Sequence, residues 1–146
     1  MLEQQIKIRF VNKNDLNVVY EMICALEKET LDFEGFEKAF TKNLSDENVF
    51  YWLTEKASKP AGFISLHLQH LIHHAGLVAE IQEFFVWETF RGQGVGKILM
   101  DEAINYAKSQ KVKSIEVSSN KKRVHNVAIY EQLGFSLTHN KLTIGL

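Results

Sequence analysis

The stretch Arg91-Gly92-Gln93-Gly94-Val95-Gly96-Lys97 sets three glycines at alternate positions between an apolar run and a run of helical spacing. A glycine turn that opens a helix gathers free backbone N–H groups and the positive end of the helix dipole at one spot, and together these bind phosphate. Bare glycines also let a ligand reach the amides and permit positive φ angles. The loop therefore predicts an anion site. Two phosphate loops do not fit it. A P-loop needs GxxxxGK followed by Ser or Thr, whereas here Gly92 to Gly96 is one residue short and Lys97 precedes Ile98. The dinucleotide fingerprint needs GxGxxG within a strand-helix-strand unit, and this loop reads GxGxG after strands that look antiparallel. A tight helix start without any ligand is the alternative that the glycines alone leave open.

Other side chains near this loop in sequence could move protons. Glu80 and Glu83 lie on the apolar run that feeds it, and Tyr130 stands four residues before Gly134. In a regular strand the odd separation of the two glutamates points them to opposite faces, and a β-bulge would change that parity. His67, His70, His73 and His74 invite a metal reading, but no cysteine or carboxylate has ligand-like spacing to them, so they read as surface residues of a hairpin. Lys108, Lys111, Lys113, Lys121, Lys122 and Arg123 read as a solvated basic group. Glu27, Glu29, Asp32, Glu34 and Glu37 form an acidic cluster that favours a cationic ligand, although acidic helix starts also arise for dipole reasons.

The elements that must carry these residues follow from periodicity. Residues 4–11 alternate as a half-buried strand, and Asn14 or Asp15 caps a helix running to about Lys28 with Leu16, Val19, Tyr20, Ile23 and Leu26 on one face. Glu34 to Leu44 predicts a second helix. VFYWLTE, PAGFISLHLQHLI and AGLVAEIQEFFVW are rich in β-branched and aromatic residues and predict three antiparallel strands. Val95 to Ser109 predicts a helix, SIEVSS a strand, and Val124 to Leu133 a helix that Gly134 stops. FSLTHNKLTIGL can fold back as a terminal strand pair.

With 146 residues, 45% hydrophobic and 24% charged, the chain suits a single globular domain over residues 1–146. A net charge of −1 argues against nucleic-acid binding, and no segment approaches the ~20 apolar residues that cross a bilayer. The N-terminus carries no signal-like pattern, which points to a cytoplasmic location. Cys24 is the one cysteine and reads as core filling.

The glycine loop resembles the R/Q-x-x-G-x-G/A loop of the GNAT superfamily, the acetyl-CoA-dependent N-acetyltransferases. The resemblance covers most of the chain: IRFVNKNDL looks like that family's first strand and helix start, EIQEFFVWETFRGQGVG like its fourth strand and loop, and YEQLGF like its late tyrosine and closing Gly-Phe. It implies an α/β (α+β) fold: a mostly antiparallel, twisted sheet of six to seven strands, splayed where the strand ending at Trp87 meets SIEVSS, with about four helices. It also implies direct acetyl transfer from acetyl-CoA to an amine, with no metal.

In this resemblance the amides from Gln93 to Lys97, with Arg91, Gly92, Gly94, Val95 and Gly96, hold the coenzyme pyrophosphate. Phe84, Phe85 and Val86 border the pantetheine arm, and the Val86 N–H is the expected oxyanion donor. Tyr130 is the implied general acid, and Glu80 or Glu83 the base, with Glu80 the slightly better match. Many family members have an asparagine seven residues before the tyrosine; here that position is Arg123, so Asn126 or Asn120 takes over the pantetheine contact. The implied acceptor is a small basic amine, since the acidic cluster borders the acceptor site in similar proteins. Protein or peptide acetylation and a non-catalytic acyl-CoA sensor are the rival readings, and a homodimer is compatible with the resemblance.

Overall fold

The computed structural model describes residues 5–123 and 125–146. Its centre is a five-stranded sheet in sequence order: β1 (Ile6–Phe10), β2 (Val49–Lys56), β3 (Lys59–Leu71), β4 (Gly76–Val86) and β5 (Ile115–Val117). The first three pairings are antiparallel, and β4 and β5 run parallel. Helices α1 (Leu16–Glu27) and α2 (Phe33–Leu44) pack on one face, α3 (Val95–Ser109) on the other, and α4 (Asn126–Gln132) follows β5.

Strand alternation sorts the core into two layers. Trp52, Ile64, Leu66, Ala79 and Ile81 meet Val95, Leu99, Met100 and Ala103 of α3. Leu53, Phe63 and Phe85 meet Val19, Met22 and Ile23 of α1 and Phe40 of α2. A fully buried side chain such as Leu99 stabilises the fold by roughly 1.5–3 kcal/mol. The α3 layer sits unusually close at Gly62: an added Cβ there would lie 2.8 Å from the Phe85 carbonyl and 2.9 Å from Leu99 Cδ1.

Asp15 holds the N-cap position of the first helix, one of the two residues expected there, but it does not cap through its side chain. Asn12 caps a 3-10 turn at Lys13–Asp15, accepting from the Asn14 N–H at 2.9 Å. Asp15 makes no side-chain cap to α1, because its carboxylate is already taken. It accepts from Arg9 at 2.7 and 2.9 Å and from the Asn12 N–H at 2.8 Å. The pair ties β1 to the entry of α1, and the guanidinium holds the Asp15 carboxyl below its ordinary range.

The expected terminal strand pair is absent, so the described sheet has five strands, not six or seven. Residues 136–146 are exposed and carry no regular structure. Their alternation marks a strand-competent segment, but a strand exists only when an edge takes its hydrogen bonds. The outer edge of the three-residue β5 is not so used among the described residues.

Candidate active site

The strand that feeds the glycine loop is interrupted by a bulge. Ile64 pairs with Phe84 and Leu66 with Ile81, so Gln82 and Glu83 together oppose Ser65. The extra residue reverses the parity of β4. Ile81 and Phe84, three positions apart, both pack toward α3, which sets Glu80 and Glu83 together on the α1/α2 face. A regular strand would have separated them. The two are held differently. Glu83 accepts from the Ser65 hydroxyl at 2.5 Å, and its N–H donates back to Ser65 Oγ at 2.9 Å. Among the described residues Glu80 accepts only from the exposed Gln82 amide, at 2.5 Å, and it stands opposite His67 in the register.

Beyond the bulge β4 loses its partner on one side. Pairing with β5 stops at Ile81, while pairing with β3 continues to Val86. The Trp87 N–H donates to the Ala61 carbonyl at 2.9 Å, which makes Phe63–Phe85 a hydrogen-bonded pair and Gly62–Val86 a non-bonded one. The N–H groups of Phe84 and Val86 therefore point away from β3, into the seam where β4 and β5 separate. The Phe85 side chain does not line this seam; it is buried under α1 and α2. Phe84 and Val86 lie on the α3 side, the Phe84 ring against Gly96.

The glycine loop stands at the end of this seam. Gly92 and Gly94 have φ of 76° and 87°, a region that glycine enters without the strain of a side chain. A Cβ at either would meet nothing of the protein within 4 Å, so the space before the loop is open. Gly94 caps α3 with no side-chain acceptor, and the first intrahelical bond is Ile98 N–H to the Gly94 carbonyl at 3.1 Å. The amides of Val95, Gly96 and Lys97 thus form an uncapped helix start, suited to a pyrophosphate. The loop is braced from behind: Arg91 Nε donates to the Val86 carbonyl at 3.1 Å, Gln93 Nε2 to the Thr89 carbonyl at 2.9 Å, and Lys56 to the Gln93 side chain. Lys97 pairs with Asp101 at 2.6 Å on the exposed side of the helix.

Tyr130 projects from α4 into the α3-side cluster, edge-on to Phe135 at 5.8 Å. Burial pushes its phenol above the ordinary 10, with the positive Arg123 opposing that shift. The phenol is therefore protonated throughout the neutral range. Arg123 itself donates to the Leu26 carbonyl at 2.7 Å and lies 3.7 Å from Glu27. Asn126 is one helical turn before Tyr130, while Asn120 caps its own turn by accepting from the Lys122 N–H at 2.9 Å. Val124, expected at the start of this helix, lies outside the described residues.

Sequence reasoning missed Ser65 and Tyr51. Ser65 was legible only as a lone hydroxyl in an apolar strand. Tyr51 pairs with it in register and accepts from Asn43 Nδ2 at 2.6 Å.

The comparisons agree with this geometry. Residues 16–135 match the acetyltransferase (GNAT) family. An aminoalkylphosphonate N-acetyltransferase of Salmonella typhimurium is 36% identical over 140 residues, covering 96% of this chain and 91% of that protein. Solved structures share the fold, two among them as follows. A transcriptional regulator from Bacillus halodurans superposes with a TM-score of 0.88 at 23% identity, over 97% of this chain and 100% of the other. An aminoglycoside N-acetyltransferase in complex with CoA gives 0.85 at 16% identity, over 97% and 95%. The chain belongs to the GNAT acetyltransferase family and is an N-acetyltransferase.

Proposed function

We propose that the enzyme transfers acetyl from acetyl-CoA directly to the amine of a small molecule, with no metal and no covalent enzyme intermediate. The observation that carries this reading is the uncapped start of α3 at the end of an open β4–β5 seam. The amides of Gln93 to Lys97 hold the pyrophosphate, and Phe84 and Val86 border the pantetheine arm. In the reaction Glu83 or Glu80 takes a proton from the acceptor ammonium, and the freed amine attacks the thioester carbonyl. The Val86 N–H donates to the oxygen as it gains charge. A C–N bond forms, the C–S bond breaks, and Tyr130 gives its phenolic proton to the departing sulfur and regains one from the new amide nitrogen. The net products are an amide, the free thiol and one proton.

The Salmonella relative acts on aminoalkylphosphonates, so these lead the acceptor panel, followed by polyamines and amino sugars. The acidic residues at the α1–α2 join support a cationic amine; Asp32 there also caps α2 through the Gly35 N–H at 2.8 Å. The exposed apolar tail supports a homodimer. No helix among the described residues is long and apolar enough to cross a membrane. The test is thiol release from acetyl-CoA with small amines and with peptides. Faster turnover on small amines is expected; turnover on peptides alone moves the reading to protein acetylation, and coenzyme binding without turnover moves it to a sensor.

A further inference from the structure

We propose that Ser65 is a positioning residue for the acetyl transfer, and that its hydroxyl selects Glu83, not Glu80, as the group that accepts the proton of the amine. The proposal rests on the transferase reading above and specifies its base.

Ser65 is a costly residue for its place. It has no solvent exposure and sits between buried Ile64 and Leu66 on a central strand, where a hydroxyl without partners would lose its hydration for nothing. Its partners are both on one residue. The hydroxyl donates to Glu83 Oε1 at 2.5 Å and its oxygen accepts from the Glu83 N–H at 2.9 Å. A bulge leaves one residue of the longer strand without its ladder bond. Ser65 Oγ supplies that bond to the Glu83 N–H and, with the same atom, fixes the carboxylate.

The consequence is directional. A glutamate has three side-chain torsions, and aiming it costs rotamer entropy in each turnover unless the protein has already ordered it. One oxygen of Glu83 is fixed by Ser65, and the other takes no hydrogen bond among the described residues, on the face that α1 and α2 cover. Glu80 has no comparable anchor, since its partner Gln82 is itself exposed. Tyr51 extends the polar group on the same face. It stands opposite Ser65 in the register, receives the Asn43 amide at 2.6 Å, and feels the charge of Glu83. No hydrogen bond from its own phenolic proton is formed among the described residues.

The experiment compares Ser65→Thr with Ser65→Val, which add the same volume and differ in the hydroxyl, and uses Ser65→Ala as a variant that adds none. Steady-state kinetics are measured with acetyl-CoA and the best small amine, in the wild-type and Glu83→Gln backgrounds. The expected result is a fall in kcat of tenfold or more in Ser65→Val and Ser65→Ala, an unchanged KM for acetyl-CoA, and a loss within threefold in Ser65→Thr. In Glu83→Gln the further change to Ser65→Ala has no added effect, and Glu80→Gln alone costs less than Glu83→Gln. Equal losses in Thr and Val, or a Ser65→Ala effect that persists without the Glu83 carboxylate, reduce Ser65 to packing and overturn the proposal. If the unaltered protein releases no thiol with any amine, the transferase reading itself fails, and this assignment with it.

Discussion

Arg123 donates from Nη2 to the Leu26 carbonyl at 2.7 Å, joining the segment after β5 to the last turn of α1 across 97 residues of sequence. The same guanidinium opposes the upward shift of the Tyr130 phenol. Position 123 is where many family members carry asparagine; in this chain it ties two elements of the site together and sets a positive charge near the proposed acid.

Replacing Arg123 with Ala removes a charged hydrogen bond worth about 1.5–3 kcal/mol when well ordered, less here because Arg123 is only part-buried. Loss of the positive charge also disfavours the phenolate, so the Tyr130 titration moves further up, not down. Ultraviolet titration of phenolate absorbance, with Tyr130→Phe as the difference reference, reads that direction. A downward movement would show that Arg123 acts through something other than its charge.

Tyr130→Phe keeps the ring that packs against Phe135 and deletes only the proton donor. Turnover is expected to fall at least tenfold, about 1.4 kcal/mol of barrier, with coenzyme binding intact. Because the phenol is raised above 10, an acid role predicts activity that persists through neutral pH and is lost only as pH rises through that raised value. In the mutant this alkaline limb disappears. Equal activity in both proteins would remove Tyr130 from the chemistry.

Two glycines separate fold from function. Gly62→Ala forces a methyl to 2.8 Å from the Phe85 carbonyl, and overpacking of this kind costs roughly 1–3 kcal/mol, so thermal unfolding comes earlier. Gly94→Ala meets no protein atom within 4 Å but must hold a φ of 87°, at a cost of about 1–2 kcal/mol, and its methyl enters the space assigned to the pyrophosphate. Its larger effect should be a raised KM for acetyl-CoA. An unchanged KM at Gly94 would move the pyrophosphate site away from this loop.

The Arg9–Asp15 pair makes an acid-sensitive joint. Its folded carboxyl titrates below the unfolded value of about 3.9, so its contribution is complete above that value and is lost as pH falls through the depressed one. Asp15→Asn lowers stability near neutral pH by about 1–3 kcal/mol through the lost charged hydrogen bonds and the broken capping box. The difference from wild type should shrink as the buffer is taken from pH 5 toward 3. A constant difference over that range would assign the effect to shape alone.

Much of this site was legible because its signals are local. The span of α3 and the helix that ends before Gly134 depend on neighbours in sequence, and the structure has both elements where periodicity put them. The relation of Glu80 to Glu83 was not, because a bulge is a property of two strands: only the pairing of β3 with β4 shows that Ser65 faces two residues. The α1 start was legible in position but not in its bonding, for a related reason. Asp15 has the right residue type for a cap, but Arg9, six residues back, competes for its carboxylate.

The C-terminal tail shows the same limit and yields the last prediction. Leu142 is 90% exposed and Ile144 83%, in a segment whose alternation suits one face of a strand. Such a face is stable in water only when covered, and the outer edge of β5, unpaired among the described residues, is a template for pairing. A second copy offers both the edge and the apolar surface, so light scattering should give the mass of two chains at micromolar concentration. Leu142→Lys with Ile144→Lys should yield a monomer whose unfolding temperature is little changed, since neither side chain touches the described core. A wild-type monomer at all concentrations would mean that the tail finds its cover within its own chain, and the double variant should then lower the unfolding temperature instead.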